Sequence, residues 1–120
     1  MNQHTIKESF SLKGVGLHTG NEVTMTFRPA PVNHGYKFQR TDLEGQPVLR
    51  AEVGQVTSTN RGTTISKGDV HINTVEHVLS AFAGLNVDNV LIEIDGPEVP
   101  IMDGSASAFV NKIEKVGLEE

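Results

Sequence analysis

Cysteine is absent from all 120 residues, which removes disulfides, thiolate metal sites and cysteine nucleophiles together. Any metal held by this chain must therefore use histidine and carboxylate. No segment approaches the roughly 18 consecutive apolar residues that a transmembrane helix needs. The opening MNQHTIKESF lacks the basic stretch and apolar run of a secretory signal, so a cytoplasmic protein is expected. Positive charge is scarce as well: ten Lys and Arg against fifteen Asp and Glu leave a formal net charge of −5, with no basic stripe. Nothing is there to neutralise a run of phosphates, and nucleic-acid binding is not expected. Low-complexity tracts, internal repeats and interdomain linkers are missing too.

What is present reads as one globular domain, with hydrophobic residues at 37% and charged residues at 21%. Period-two alternation marks half-buried strands. In EVTMTFR, Val23, Met25 and Phe27 share one face and Thr24, Thr26 and Arg28 the other. FSL at 10–12, YKF at 36–38 and DVHI at 69–72 follow the same rule, and the more apolar NVLIEID at 89–95 suits a central strand through Val90, Ile92 and Ile94. Breakers RPAPVNHG, LEGQP and SKGD separate them, the last as a hairpin turn. Helical spacing appears at 74–83 and at 105–116, where Ala106, Phe109, Val110, Ile113 and Val116 recur before Gly117. The order predicts an α+β fold, a mostly antiparallel sheet with two helices packed on one face.

The first helical segment, NTVEHVLSAFAGL, sets Glu76 beside His77. Asn73 suits an N-cap and Glu76 then falls where a capping-box acid sits, which explains the glutamate without chemistry. The histidine resists that explanation. At about 100° per residue Val75, Val78, Leu79 and Phe82 form the stripe that faces the sheet, and His77 lies nearly opposite them. Around it stand Ser80, Ala81 and Gly84, with Ala83 beside Glu76, where a solvated face would carry lysines and glutamates. Gly84 also suits a helix C-cap. Small side chains let another body come close, so a second domain or a ligand is expected over the Glu76–His77 face. A catalytic zinc needs three protein ligands and an open position. Only His77 can be named: His4, His18, His34 and His71 make no helical pair with it, and VEHVLS is not H-E-x-x-H.

Two further motifs are weaker. KGVGLHTG at 13–20 is neither a dinucleotide fingerprint nor a P-loop, and it reads as a tight turn whose glycines Gly14, Gly16 and Gly20 supply positive φ, with His18 and Thr19 at the tip. DGPEVPIMDGSASAF at 95–109 is a long loop before a helix, with Ser105 as its cap and Asp103 complementing the helix dipole. Loops of this kind often line sites.

Taken together, GVGLHTG, RPAP, RTDL, NTVEHVLSAFAGL with VDNV, and PEVPIMDGSASAFV resemble the amino-terminal domain of the UDP-3-O-acyl-N-acetylglucosamine deacetylase family, in order and spacing over nearly the whole chain. The resemblance implies a zinc-dependent amidase of lipid A biosynthesis, built from two similar α+β domains with the active site between them. It implies His77 as a zinc ligand and Glu76 as the catalytic carboxylate. Leu17 and His18, and the stretch with Thr59, Asn60, Arg61 and Thr63, would border the cleft for a UDP-linked acylated glucosamine. The family's other ligands, a histidine and an aspartate, and its second catalytic histidine belong to a second domain that this sequence does not include. On that reading residues 1–120 alone are expected to be inactive and to hold Zn2+ weakly. In some members of the family the deacetylase is fused to a dehydratase. The alternative is a non-catalytic α+β module that dimerises or binds a partner through the Ser80–Ala81 face.

Overall fold

Alternation in the sequence becomes alternation of burial wherever a strand lies on the core. The computed structural model describes residues 3–16, 20, 22–51, 56–59, 62–67, 70–100 and 107–119. Five strands form the main sheet: β2 (Phe10–Val15), β3 (Glu22–Pro29), β4 (Tyr36–Arg40), β5 (Val48–Arg50) and β9 (Val90–Ile94), in the order β2-β3-β9-β4-β5. β3 buries Val23, Met25 and Phe27, and β9 buries Val90, Ile92 and Ile94, as their patterns predict. β9 is the central strand, antiparallel to β3 and parallel to β4. Consecutive strands β3 and β4 are not paired with each other, and β9, the more apolar run, fills the slot between them.

A second sheet holds β6 (Val56–Thr59), β7 (Gly62–Lys67) and β8 (Val70–Asn73), all antiparallel. β1 (Thr5–Ile6) and β10 (Leu118–Glu119) pair as a two-stranded ribbon near the two ends of the chain. Among the described residues the fold is α+β as expected, but the strands divide among three sheets with one parallel strand pair, where one mostly antiparallel sheet was expected. The physical reason lies in composition. VTST and GTTISK are rich in Thr and Ser, and among the described residues the small sheet contributes Ile65 and Ile72, opposite one another, as its fully buried apolar side chains. Such strands cannot extend a two-faced core and settle beside it. SKGD does join antiparallel strands, with Lys67 pairing Val70, while Gly68 and Asp69 lie outside the described residues. Of the three glycines at 14–20, Gly20 alone has positive φ, 70°; Gly14 continues β2 opposite Val23.

The two helices, α1 (Glu76–Gly84) and α2 (Ser107–Val116), cover one face of the main sheet. Phe27 is their common floor. Its ring stacks on Phe10 at 4.7 Å between centroids and meets Phe82 of α1 at 5.5 Å and Phe109 of α2 at 6.3 Å. All of these but Phe10 are essentially fully buried, and each such side chain contributes about 1.5–3 kcal/mol on leaving water. The main and small sheets are tied by Arg40, whose guanidinium grips the Asp42 carboxylate at 2.7 and 2.8 Å and donates to the His71 carbonyl at 2.9 Å. The arginine is buried, so this fork and its carbonyl contact satisfy a charge that would otherwise be costly to hide.

Candidate functional site

The site begins where β8 runs out. Asn73 ends the strand, and Thr74 takes φ 62°, in the left-handed region where a β-branched residue is a genuine outlier. Such a conformation costs on the order of 1–3 kcal/mol. It also cannot continue as helix, so α1 starts at Glu76, two residues after the periodicity predicts. Val75 is the N-cap residue, and no side chain caps the helix. The expected capping box is therefore not formed. Asn73 lies two residues too early, and its side-chain oxygen accepts from the Thr64 hydroxyl at 3.0 Å instead. Glu76, as the first helical residue, still complements the positive end of the helix dipole, worth about 0.3–1 kcal/mol at a surface.

Glu76 and His77 are both half-buried, on a helix held down by Val78, Ala81 and Phe82. The expected stripe of Val75, Val78 and Phe82 is fully buried, with Leu79 packed at its margin. Ala81 departs from expectation. It is buried inside the domain, so the Ser80–Ala81 pair does not form one open surface. α1 meets α2 as well as the sheet, so its buried arc is wider than the sheet-facing stripe alone. Ser80, Ala83 and Gly84 are exposed.

Two backbone bridges gather distant motifs at the start of α1. Asn73 pairs with Glu98, its N–H donating to the Pro97 carbonyl at 2.8 Å while its carbonyl accepts from Val99 N–H at 3.0 Å. Gly16 pairs with Pro100, which draws the end of β2 to the same strip. The glycine-rich segment, the Glu-Val-Pro segment and the helix start thus share one edge of the fold. Glu98, fully buried there, accepts a hydrogen bond from the Thr74 hydroxyl at 3.1 Å. Sequence reasoning missed both residues. A glutamate inside the otherwise apolar GPEVPI was the one available signal.

Other expected positions are less informative. Leu17, His18, Asn60 and Arg61 lie outside the described residues, as do Asp103, Ser105 and Ala106. Thr59 and Thr63 belong to paired strands, Thr59 opposite Gly62 and Thr63 opposite Ser58, and nothing is described of their side chains. His4 faces Asp88 near β1, and His34 leads into β4 with its ring beside the Gly35 carbonyl. A hollow of about 220 Å³ lined by Asn33, His34, Tyr36 and Arg50 opens near that strand's start, next to the start of β9 and not to the start of α1. Among the described residues no three His, Asp or Glu side chains gather as a metal site. A half-exposed imidazole on a rigid helix suits one zinc position, but these residues do not assemble the three that a catalytic zinc requires.

Residues 3–120 match the UDP-3-O-acyl N-acetylglycosamine deacetylase family, LpxC. The chain is 57% identical over 120 residues to a bifunctional enzyme LpxC/FabZ of Bacteroides thetaiotaomicron, an alignment covering 100% of this chain and 26% of that protein. It is 52% identical over 118 residues to a UDP-3-O-acyl-N-acetylglucosamine deacetylase of Methylococcus capsulatus, covering 98% of this chain and 39% of that one. A deacetylase of the same name from Shewanella halifaxensis is 50% identical over 119 residues, again at 98% and 39%. The chain thus spans between 26% and 39% of the length of these relatives.

Proposed function

The chain belongs to the UDP-3-O-acyl N-acetylglycosamine deacetylase family, and from that premise we propose that it forms the amino-terminal part of a zinc-dependent deacetylase of lipid A biosynthesis. The reaction is hydrolysis of the N-acetyl group of UDP-3-O-acyl-N-acetylglucosamine. The observation that carries the reading is the side-by-side placement of Glu76 and His77, both half-exposed, at the first turn of α1. A cytoplasmic setting suits a nucleotide-linked substrate, and among the described residues no helix is long and apolar enough to cross a membrane.

In this reading His77 would hold zinc through one ring nitrogen, and Glu76 would accept the proton of the attacking water. When bound, the metal supplies Lewis-acid polarisation of the amide carbonyl and activation of water. Glu76 would have to stand within hydrogen-bond reach of that water, a role that its place beside His77 in the first turn of α1 supports. The remaining ligands and a second catalytic histidine come from a second α+β domain in the part of the parent protein that this chain does not span. Leu17, His18, Thr59, Asn60, Arg61 and Thr63 border the substrate.

The test is mutational, in the full-length protein. His77→Ala is expected to remove both bound zinc, by elemental analysis, and deacetylation. Glu76→Gln keeps the shape and the metal but loses the base, so kcat should fall roughly 10²–10⁴-fold. Full activity with zinc retained in His77→Ala would overturn the assignment.

A further inference from the structure

The reactive pair sits on a helix start that has no side-chain cap, so something else must fix the direction in which its first turn leaves the sheet. The candidates are the residues just before it. Thr74 holds φ 62°, a conformation a threonine does not keep unless its surroundings impose it. The backbone of Asn73 is clamped on one side by Pro97 and Val99. Between those two residues, the buried Glu98 carboxylate receives the Thr74 hydroxyl.

Each part of this arrangement is expensive alone. A carboxylate at full burial loses its hydration and is retained only where hydrogen bonds replace it. A left-handed threonine is strained whatever its side chain meets. Together they explain one another, since the hydroxyl satisfies an oxygen of the acid and the acid holds the threonine in place. From Thr74 the chain has one further residue, Val75, before Glu76 and His77, and Val75 is itself fully buried, so a change of φ at 74 passes directly into the first helical turn.

We propose that Glu98 is a positioning residue for the Glu76–His77 pair, acting through the left-handed Thr74 that its carboxylate holds. The proposal rests on the deacetylase reading above. It names a residue on a different loop, 24 positions away from Thr74. Its effect is geometric: a helix start displaced by even about 1 Å moves both groups off their working positions, and misplacements of that size can lower turnover by about a hundredfold.

Three substitutions separate positioning from mere support. Thr74→Val keeps the shape but removes the hydroxyl, and it should lower kcat at least tenfold in the full-length protein while KM changes less than threefold. Thr74→Ser restores the hydroxyl and should recover kcat to within threefold. Glu98→Gln retains an accepting oxygen and should behave like Thr74→Ser, whereas Glu98→Ala should behave like Thr74→Val. A second readout does not depend on activity. In the full-length protein the Leu79 amide, which closes the first turn on the Val75 carbonyl at 3.1 Å, should exchange its hydrogen at least tenfold faster in Thr74→Val, with the Phe27 amide in β3 unchanged. Wild-type kcat and wild-type Leu79 exchange in both Thr74→Val and Glu98→Ala would overturn the proposal. Equal acceleration at Leu79 and Phe27 would also overturn it, by showing a general loss of stability. An inactive wild type, or an active His77→Ala, would instead defeat the deacetylase reading, and the exchange result would then stand by itself.

Discussion

At the scale of single residues, the core leaves little room for change. A Cβ added at Gly96 would stand 2.9 Å from Cγ2 of Val23, a buried side chain of β3. Gly96→Ala must push that valine or shift the loop, and it is expected to lower the unfolding free energy by about 1–3 kcal/mol in chemical denaturation. An unchanged midpoint would show that the loop yields freely. Phe27→Ala removes the ring that Phe10, Phe82 and Phe109 share, and about 3–5 kcal/mol should go with it. Residues of this kind were visible in the sequence, because alternation assigns Phe27 to the core face. Thr74 and Glu98 were not. Positive φ has no signature at a threonine, and fully buried glutamates are rare enough that a Pro-Glu-Val-Pro segment reads as exposed loop. The same strain hid the true start of α1, since a cap reading assumes that Asn73 leads straight into the helix.

At the scale of elements, periodicity reports one neighbour and the structure supplies two. The stripe of Val75, Val78, Leu79 and Phe82 identified the sheet-facing side of α1, but Ala81 outside it is buried too, and α1 also meets α2, which the local sequence of α1 cannot encode. Ala81→Leu should therefore overpack its buried position and destabilise by about 1–3 kcal/mol, while Ser80→Leu one residue earlier, at an exposed position, stays within about 0.5 kcal/mol in this chain. β9 was readable as central because a strand between two others carries few polar side chains. Of the small sheet, β8 and the hairpin before it were legible in DVHI and SKGD, while β6 and β7 escaped notice because Thr and Ser strands resemble loops. Its link to the main sheet has a pH dependence. The Arg40 hydrogen bonds hold the Asp42 carboxyl below its ordinary 3.8, against a smaller opposing push from burial. A carboxyl with a lowered folded-state pKa stabilises the fold above its unfolded value, and that contribution fades as pH falls through the folded one. Wild type and Asp42→Asn should differ most near neutrality and converge in acid, as read from denaturation midpoints across pH. A constant difference down to the lowest pH would count against the fork as the cause.

At the scale of the whole molecule, three sheets and two helices still make one compact body. The Cα radius of gyration of 13.3 Å is close to the roughly 13.6 Å expected of a compact chain of this length. Compactness and completeness differ, however. A catalytic zinc takes three protein ligands, and the described residues bring no such group together around His77. A lone imidazole holds zinc weakly, because each further ligand adds its binding free energy without paying again for immobilising the ion. The 120-residue chain should therefore show no tight, stoichiometric zinc uptake in calorimetric titration, and His77→Ala should barely change the weak signal that remains. In the full-length protein the same substitution should abolish stoichiometric binding. Tight one-to-one zinc binding by the 120-residue chain that disappears in His77→Ala would mean that this domain completes the site from its own residues, and the division of ligands between two domains would have to be abandoned.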